Sequence, residues 1–157
     1  GDLGGAQAQL AALETLTQSP NADTFRVGAT PASAVLRVAA HGLKGEVLLA
    51  QGDLEGAIEA FTAGVELEDL NNYTEPPDWA QPMRHYLGAA LLEAGRPVDA
   101  EAVYRRDLRW NQNNGWALFG LQQALTLQGK AEAAATVHAQ WTAAWAASDV
   151  VLEASRF

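Results

Sequence analysis

The chain has 157 residues, of which 48% are hydrophobic and only 18% charged, with five Trp, three His and no Cys. That is enough apolar material for one continuous core, and the abundance of alanine favours closely packed helices over strands. A net charge of −9 with no Lys/Arg cluster argues against nucleic acid, the lack of cysteine excludes disulfides and thiolate chemistry, and no stretch is apolar enough to span a membrane.

In chain order, the first predicted helix runs from Asp2 to Leu16, with an apolar stripe of Leu3, Ala6, Leu10, Leu13 and Leu16. Ser19 to Ser33 is rich in breakers and N-cap residues and reads as a loop. A helix from Ala32 or Ser33 to Gln51 follows, then a partner from Leu54 to Leu67. Asp69 to Pro82 is a second loop, where prolines deny helix continuation. The next helix is predicted from Asp78 or Trp79 to Ala94, with Asp78 as N-cap, and its partner from Pro97 to Trp110. Asn114 is predicted to cap Gly115 to Gln128, and Ala131 to Ala147 is the last helix.

These helices fall into a repeat. Gly1, Gly52, Gly95 and Gly129 each precede an alanine by five residues (Ala6, Ala57, Ala100, Ala134) and a bulkier residue by nine (Leu10, Phe61, Tyr104, His138). The spacings between those glycines are 51, 43 and 34 residues, and the two excess lengths coincide with the two loops. The glycine suits a left-handed turn between paired helices, and the alanine suits a close helix crossing. No helix precedes Gly1, so the first unit is expected to lack its first helix. The organisation expected is one helical-repeat domain over 1–157: an orphan helix 1–16, an insertion 17–32, a repeat 33–68, an insertion 69–78, repeats 79–111 and 114–147, and a tail 148–157.

The 34-residue period, the small residues Gly45 and Gly88, the four alanines and the aromatic Phe61 and Tyr104 resemble the tetratricopeptide repeat family. Leu10, His138, Gln122 and Lys44 depart from its pattern. The resemblance implies an all-α, right-handed superhelix of antiparallel helix pairs, about seven helices in all. The runs Glu75–Trp79, Arg84–Leu92, Asn114–Leu121, Ser148–Val150 and Ser155–Phe157 are similar to the C-terminal end of long bacterial tetratricopeptide proteins. That likeness implies a natural C-terminus and a processed or fragmentary N-terminus. The stripe Leu3/Leu10/Leu13 would then meet missing N-terminal repeats or a second copy of the chain.

In this family the first helix of each pair lines a concave, peptide-binding groove. Counting from the turn glycines puts Ala39, Gly42, Glu46, Pro82, His85, Ala89, Glu93, Trp116, Phe119 and Gln123 on that surface. The implied function is a non-enzymatic protein-interaction scaffold whose partner is a protein segment or peptide, with Glu46, Pro82, His85, Glu93, Trp116, Phe119 and Gln123 as groove residues. Trp116 and Phe119 alternatively pack beneath an insertion or the tail.

Among the histidines, His138 and His41 occupy packing positions, and His85 is expected to be solvated in the groove. The rival reading is a small-ligand, metal or acid–base module in which His85 pairs with Glu75 or Glu93 beside Trp116. A third reading is a purely structural solenoid cap. No histidine spacing supports a metal, and the acidic run Glu66–Asp69 lacks the pattern of a calcium loop, so no cofactor is expected. Trp141 and Trp145, one helical turn apart, are expected to receive Val150, Leu152 and Phe157 from a tail that folds back.

Overall fold

The computed structural model describes residues 1–71 and 74–156. They form seven α-helices and one small hairpin: α1 (Leu3–Thr17), β1 (Arg26–Val27), β2 (Thr30–Pro31), α2 (Ala32–Ala50), α3 (Leu54–Asp69), α4 (Met83–Glu93), α5 (Pro97–Trp110), α6 (Gly115–Leu127) and α7 (Ala131–Trp145). The fold is all-α, and helices adjacent in sequence pack together: α1 on α2, α2 on α3, α5 on α6 and α6 on α7. The chain divides into two compact units, Gly1–Met83 and Arg84–Phe157. Among the described residues, no helix is long and apolar enough to cross a membrane.

In the first unit the repeated letters acquire local causes. Asp2 and Asp53 cap α1 and α3, accepting from the amides of Gly5 at 2.9 Å and Gly56 at 3.0 Å. A Cβ at Gly5 or Gly56 would collide with the capping carboxylate, which explains why Gly-Asp-Leu-x-Gly occurs twice. Gly52 turns the chain from α2 into α3 at φ +80°, a left-handed conformation that favours glycine. Phe61 is fully buried and lies where a side chain at Gly45 would otherwise go. The α1 stripe is only half covered, and Leu16 is 54% exposed.

The first loop carries structure that its composition does not suggest, and the second runs on to a later helix start than expected. The first holds an antiparallel hairpin, Arg26 opposite Pro31 and Val27 opposite Thr30, closed by Gly28-Ala29 with Gly28 at φ +56°. Two-residue hairpin loops need a left-handed residue, and Val-Gly-Ala-Thr was the available signal for one. In the second loop, α4 begins at Met83 rather than at Asp78 or Trp79. Pro82 precedes the helix instead of lying in its first turn, and the residue before a proline is steered away from helical geometry. Asp78 is therefore not the N-cap; its carboxylate lies against Gly28, while Glu68 of α3 accepts from the Met83 amide at 2.9 Å.

In the second unit Tyr104 of α5 is fully buried between α4 and α6. Its ring occupies the space of the missing side chains of both Gly88 and Gly120. Gly95 and Gly129 make left-handed turns at φ +68° and +71°. Asn114 caps α6 as the sequence predicts, accepting from the Ala117 amide at 3.2 Å. Trp145 of α7 lies over Gly115 and meets Trp116 edge-on, with ring centroids 4.8 Å apart. His138 does not pack in the core as its repeat position suggests. It is exposed, because α7 buries Ala134 and Val137 instead.

Candidate functional site

His85, Asp107, Tyr104 and Ser155 of the second unit build a buried polar centre. His85 lies on α4, one turn before Gly88, and Asp107 on α5, one turn after Tyr104. The helix crossing that Gly88 permits brings His85 Nε2 within 3.1 Å of Asp107 Oδ2. Asp107 is 1% exposed, and its other oxygen accepts from Asn111 Nδ2 at 3.0 Å. A carboxylate can only accept, so the bond to His85 places the imidazole proton on Nε2. The pair is desolvated but satisfied, the condition under which buried charge is tolerated.

The tail enters this centre through Ser155, itself 1% exposed. Its hydroxyl lies 2.6 Å from Tyr104 Oη and donates to the backbone carbonyl of His85 at 3.0 Å. A serine has one proton and the carbonyl can only accept, so Tyr104 must donate to Ser155. The direction is thus Tyr104 to Ser155 to the His85 carbonyl. Burial pushes the Tyr104 phenol well above its ordinary range and Asp107 adds to this, against the bond to Ser155, so the phenol stays a donor at ordinary pH.

Beside this anchor lies an open cleft of about 500 Å³ between α4 and α6. Ala89, Leu92 and Glu93 of α4, Gln122, Gln123, Thr126 and Leu127 of α6, and tail residues Glu153 to Arg156 line it. The segment 150–156 has no helix, and its residues 153–156 line this cleft rather than continuing α7. Trp145 Nε1 helps to turn it by donating to the Val150 carbonyl at 2.8 Å.

The sequence-predicted site residues separate into groups. Glu93 and Gln123 come together in the α4/α6 cleft. His85 does not face a groove: it is buried on Asp107, while Glu93 is exposed at the far end of α4 and Glu75 is exposed in the preceding loop. Trp116 and Phe119 lie on the side of α6 that meets α7, Trp116 against Trp145 and Phe119 against Trp141 at 5.6 Å. Pro82 is half-buried before α4, and Glu46 is half-buried on α2 in the first unit. Of the tail residues expected to dock on Trp141 and Trp145, Leu152 is half-buried. Val150 is 55% exposed, Phe157 lies outside the described residues, and Ser155 supplies the anchor.

Asp107 and Ser155 were missed by sequence reasoning. For Asp107 a signal existed: Ala100, Tyr104 and Asp107 form one buried stripe of α5, and an aspartate on such a stripe requires a partner. For Ser155, in an irregular tail, there was none.

Two further polar clusters complete the picture. In the second unit Glu101 accepts from Lys130 at 2.7 Å, Arg105 at 2.8 Å and Gln128 at 2.8 Å, joining α5 to the start of α7. Lys130, aided by Arg105 and Gln128 against partial burial, holds the Glu101 carboxyl down at about 2. In the first unit, burial and then Lys44 lower the His41 pKa, opposed by the Ala60 carbonyl and Glu14. Among the described residues no group of three His, Asp or Glu is placed to hold a metal ion. Comparison of the chain with protein-family models, with curated proteins and with solved structures finds no match.

Proposed function

We propose that this chain is a non-enzymatic interaction module of the tetratricopeptide type, and that the α4/α6 face of its second unit receives an extended protein segment. The observation that carries this reading is the tail. An irregular segment lies along that face and buries one small hydroxyl side chain, Ser155, against Tyr104 and the His85 carbonyl. A surface that holds an extended segment of its own chain has the shape and donors to hold another. Glu93, Gln122 and Gln123 supply polar contacts beside the apolar Leu92 and Leu127, the mixture a recognition surface uses. His85 and Asp107 set the helix spacing on which the anchor depends and are positioning residues in this account.

The same observation also suits a structural cap, in which the tail seals the face permanently. A fluorescent peptide with the sequence of residues 148–157 distinguishes the two readings. Full-length chain carrying Ser155→Ala, whose own tail is loosened, should bind the peptide in an anisotropy titration more tightly than the wild type. A peptide with alanine in place of Ser155 should bind neither. If no form of the chain binds either peptide, the cap reading stands and the interaction reading fails.

A further inference from the structure

The first unit carries a cleft that the α4/α6 reading does not use. It is an open space of about 650 Å³ between α1 and α2, lined by Ala11, Glu14, Thr15, Thr17 and Gln18 on one side and Arg37, Ala40, His41 and Lys44 on the other. That volume falls within the range of small-molecule sites. Arg37, His41 and Lys44 stand at successive turns of α2 and so share one helix face. Arg37 and Lys44 are exposed and make no hydrogen bond or ion pair among the described residues. His41 Nδ1 is buried and also lacks a partner.

Two unpaired cations beside a desolvated, unsatisfied imidazole nitrogen leave the cleft with positive charge that its own residues do not pair. The Thr15 and Thr17 hydroxyls, which donate to the carbonyls of Ala11 and Glu14, are neutral and so do not offset the two positive charges. Glu14 is the one carboxylate lining the cleft. It offsets one of the two cations, so a single oxyanion would balance the remainder and a polyanion would be over-charged.

We propose that the α1/α2 cleft binds a small molecule through one oxyanion group, a carboxylate or a phosphate, held between Arg37 and Lys44 with His41 Nδ1–H as the buried donor. The cleft's own residues disfavour a proton on His41, through burial and through Lys44. An anion seated there reverses that electrostatic balance. The groups facing His41 are Arg37 and Lys44 on α2, Glu14 on α1 and the Ala60 carbonyl on α3. Binding therefore raises the His41 pKa and links anion affinity to acidification.

The chain's three histidines make this directly measurable by side-chain NMR. Full-length protein is titrated with inorganic phosphate in one arm and with acetate in another, each against sodium chloride at equal ionic strength. The expected result is a saturable shift of the His41 resonances and a raised His41 pKa in at least one arm, with buried His85 and exposed His138 as internal controls. The arm that saturates at lower concentration identifies the phosphate or the carboxylate as the source of the group. Arg37→Gln with Lys44→Gln, both at exposed positions, should abolish the response while leaving the far-ultraviolet circular dichroism unchanged. A flat His41 in both arms would overturn the proposal. So would a response that chloride reproduces, that His138 shares, or that survives the double substitution.

Discussion

One structural position is filled in three different ways along this chain, and the contrast explains where polar chemistry enters it. The residues ten before and twelve after each turn glycine face each other across a helix pair. From Gly52 these are Gly42 and Gly64, from Gly95 they are His85 and Asp107, and from Gly129 they are Phe119 and Trp141. In the first unit the two glycines leave room for Met83: a Cβ at Gly64 would come 2.8 Å from its methyl carbon, and one at Gly42 would come 3.4 Å from its sulfur. In the second unit the same position holds a buried histidine–aspartate hydrogen bond in one helix pair and two rings in tilted contact in the next. Backbone geometry therefore does not dictate which chemistry fills the position. A flexible thioether, a hydrogen-bonded polar pair or an aromatic pair all fit.

A second position sharpens the contrast. Nine residues after the turn glycine stands Phe61 in the first unit and Tyr104 in the second, both fully buried and each packed over a glycine of the preceding helix. They differ by one hydroxyl. Phe61 requires nothing beyond packing, whereas Tyr104 requires an acceptor, and the tail provides it through Ser155. A single oxygen thus turns a packing position into an attachment point.

Breaking the His85–Asp107 pair should have the largest effect. Asp107→Ala takes the acceptor from both the buried His85 Nε2–H and Asn111 Nδ2, at about 1–3 kcal/mol for each group left unsatisfied, readable in urea unfolding. Replacing both His85 and Asp107 with leucine should cost distinctly less than Asp107→Ala alone, because no imidazole is left buried without an acceptor. Equal losses would mean that the pair is not the source of the cost.

Exchanging the aromatic residues comes next. Phe61→Tyr forces a hydroxyl into a fully buried site beside Gly45, with an expected cost of about 1–3 kcal/mol, whereas Tyr104→Phe removes a made hydrogen bond at a net cost of about 1 kcal/mol. If the two exchanges cost the same, the hydroxyl is not what separates the units.

The smallest effect concerns acid. Glu101 is held at about 2 against an ordinary 4.5, so its stabilisation is complete above the ordinary value and is lost as pH falls from there toward 2. Its partners Lys130 and Arg105 are half exposed. Solvent screening therefore limits the effect to about 1 kcal/mol. Glu101→Gln should flatten that part of the stability profile and leave neutral stability slightly lower.

Much of the fold was legible in the sequence, because it rests on short-range rules. Asn114 caps α6, Gly52, Gly95 and Gly129 take left-handed turns, and the helices fall where periodicity put them. The late start of α4 was not legible, since Pro82 is compatible with either side of a helix start and its cap comes from Glu68, fifteen residues away. The candidate site was legible only in part. Counting from the turn glycine placed Glu93 and Gln123 together, but it could not show that His85 meets Asp107 or that Trp116 and Phe119 turn toward α7. Those outcomes depend on pairings across helices, which one helix's periodicity does not contain. Ser155 reaches Tyr104 across fifty-one residues, and no local pattern announces it.

The measurement that bears most directly on the seated tail is a double-mutant cycle joining Tyr104→Phe with Ser155→Ala in the full-length chain, followed by urea unfolding. A direct hydrogen bond between the two predicts that the double variant loses less stability than the sum of the single losses, with a coupling on the order of 1 kcal/mol. Strictly additive losses would contradict the account: the tail would then not be held by Tyr104, and the α4/α6 face would have no demonstrated affinity for an extended segment.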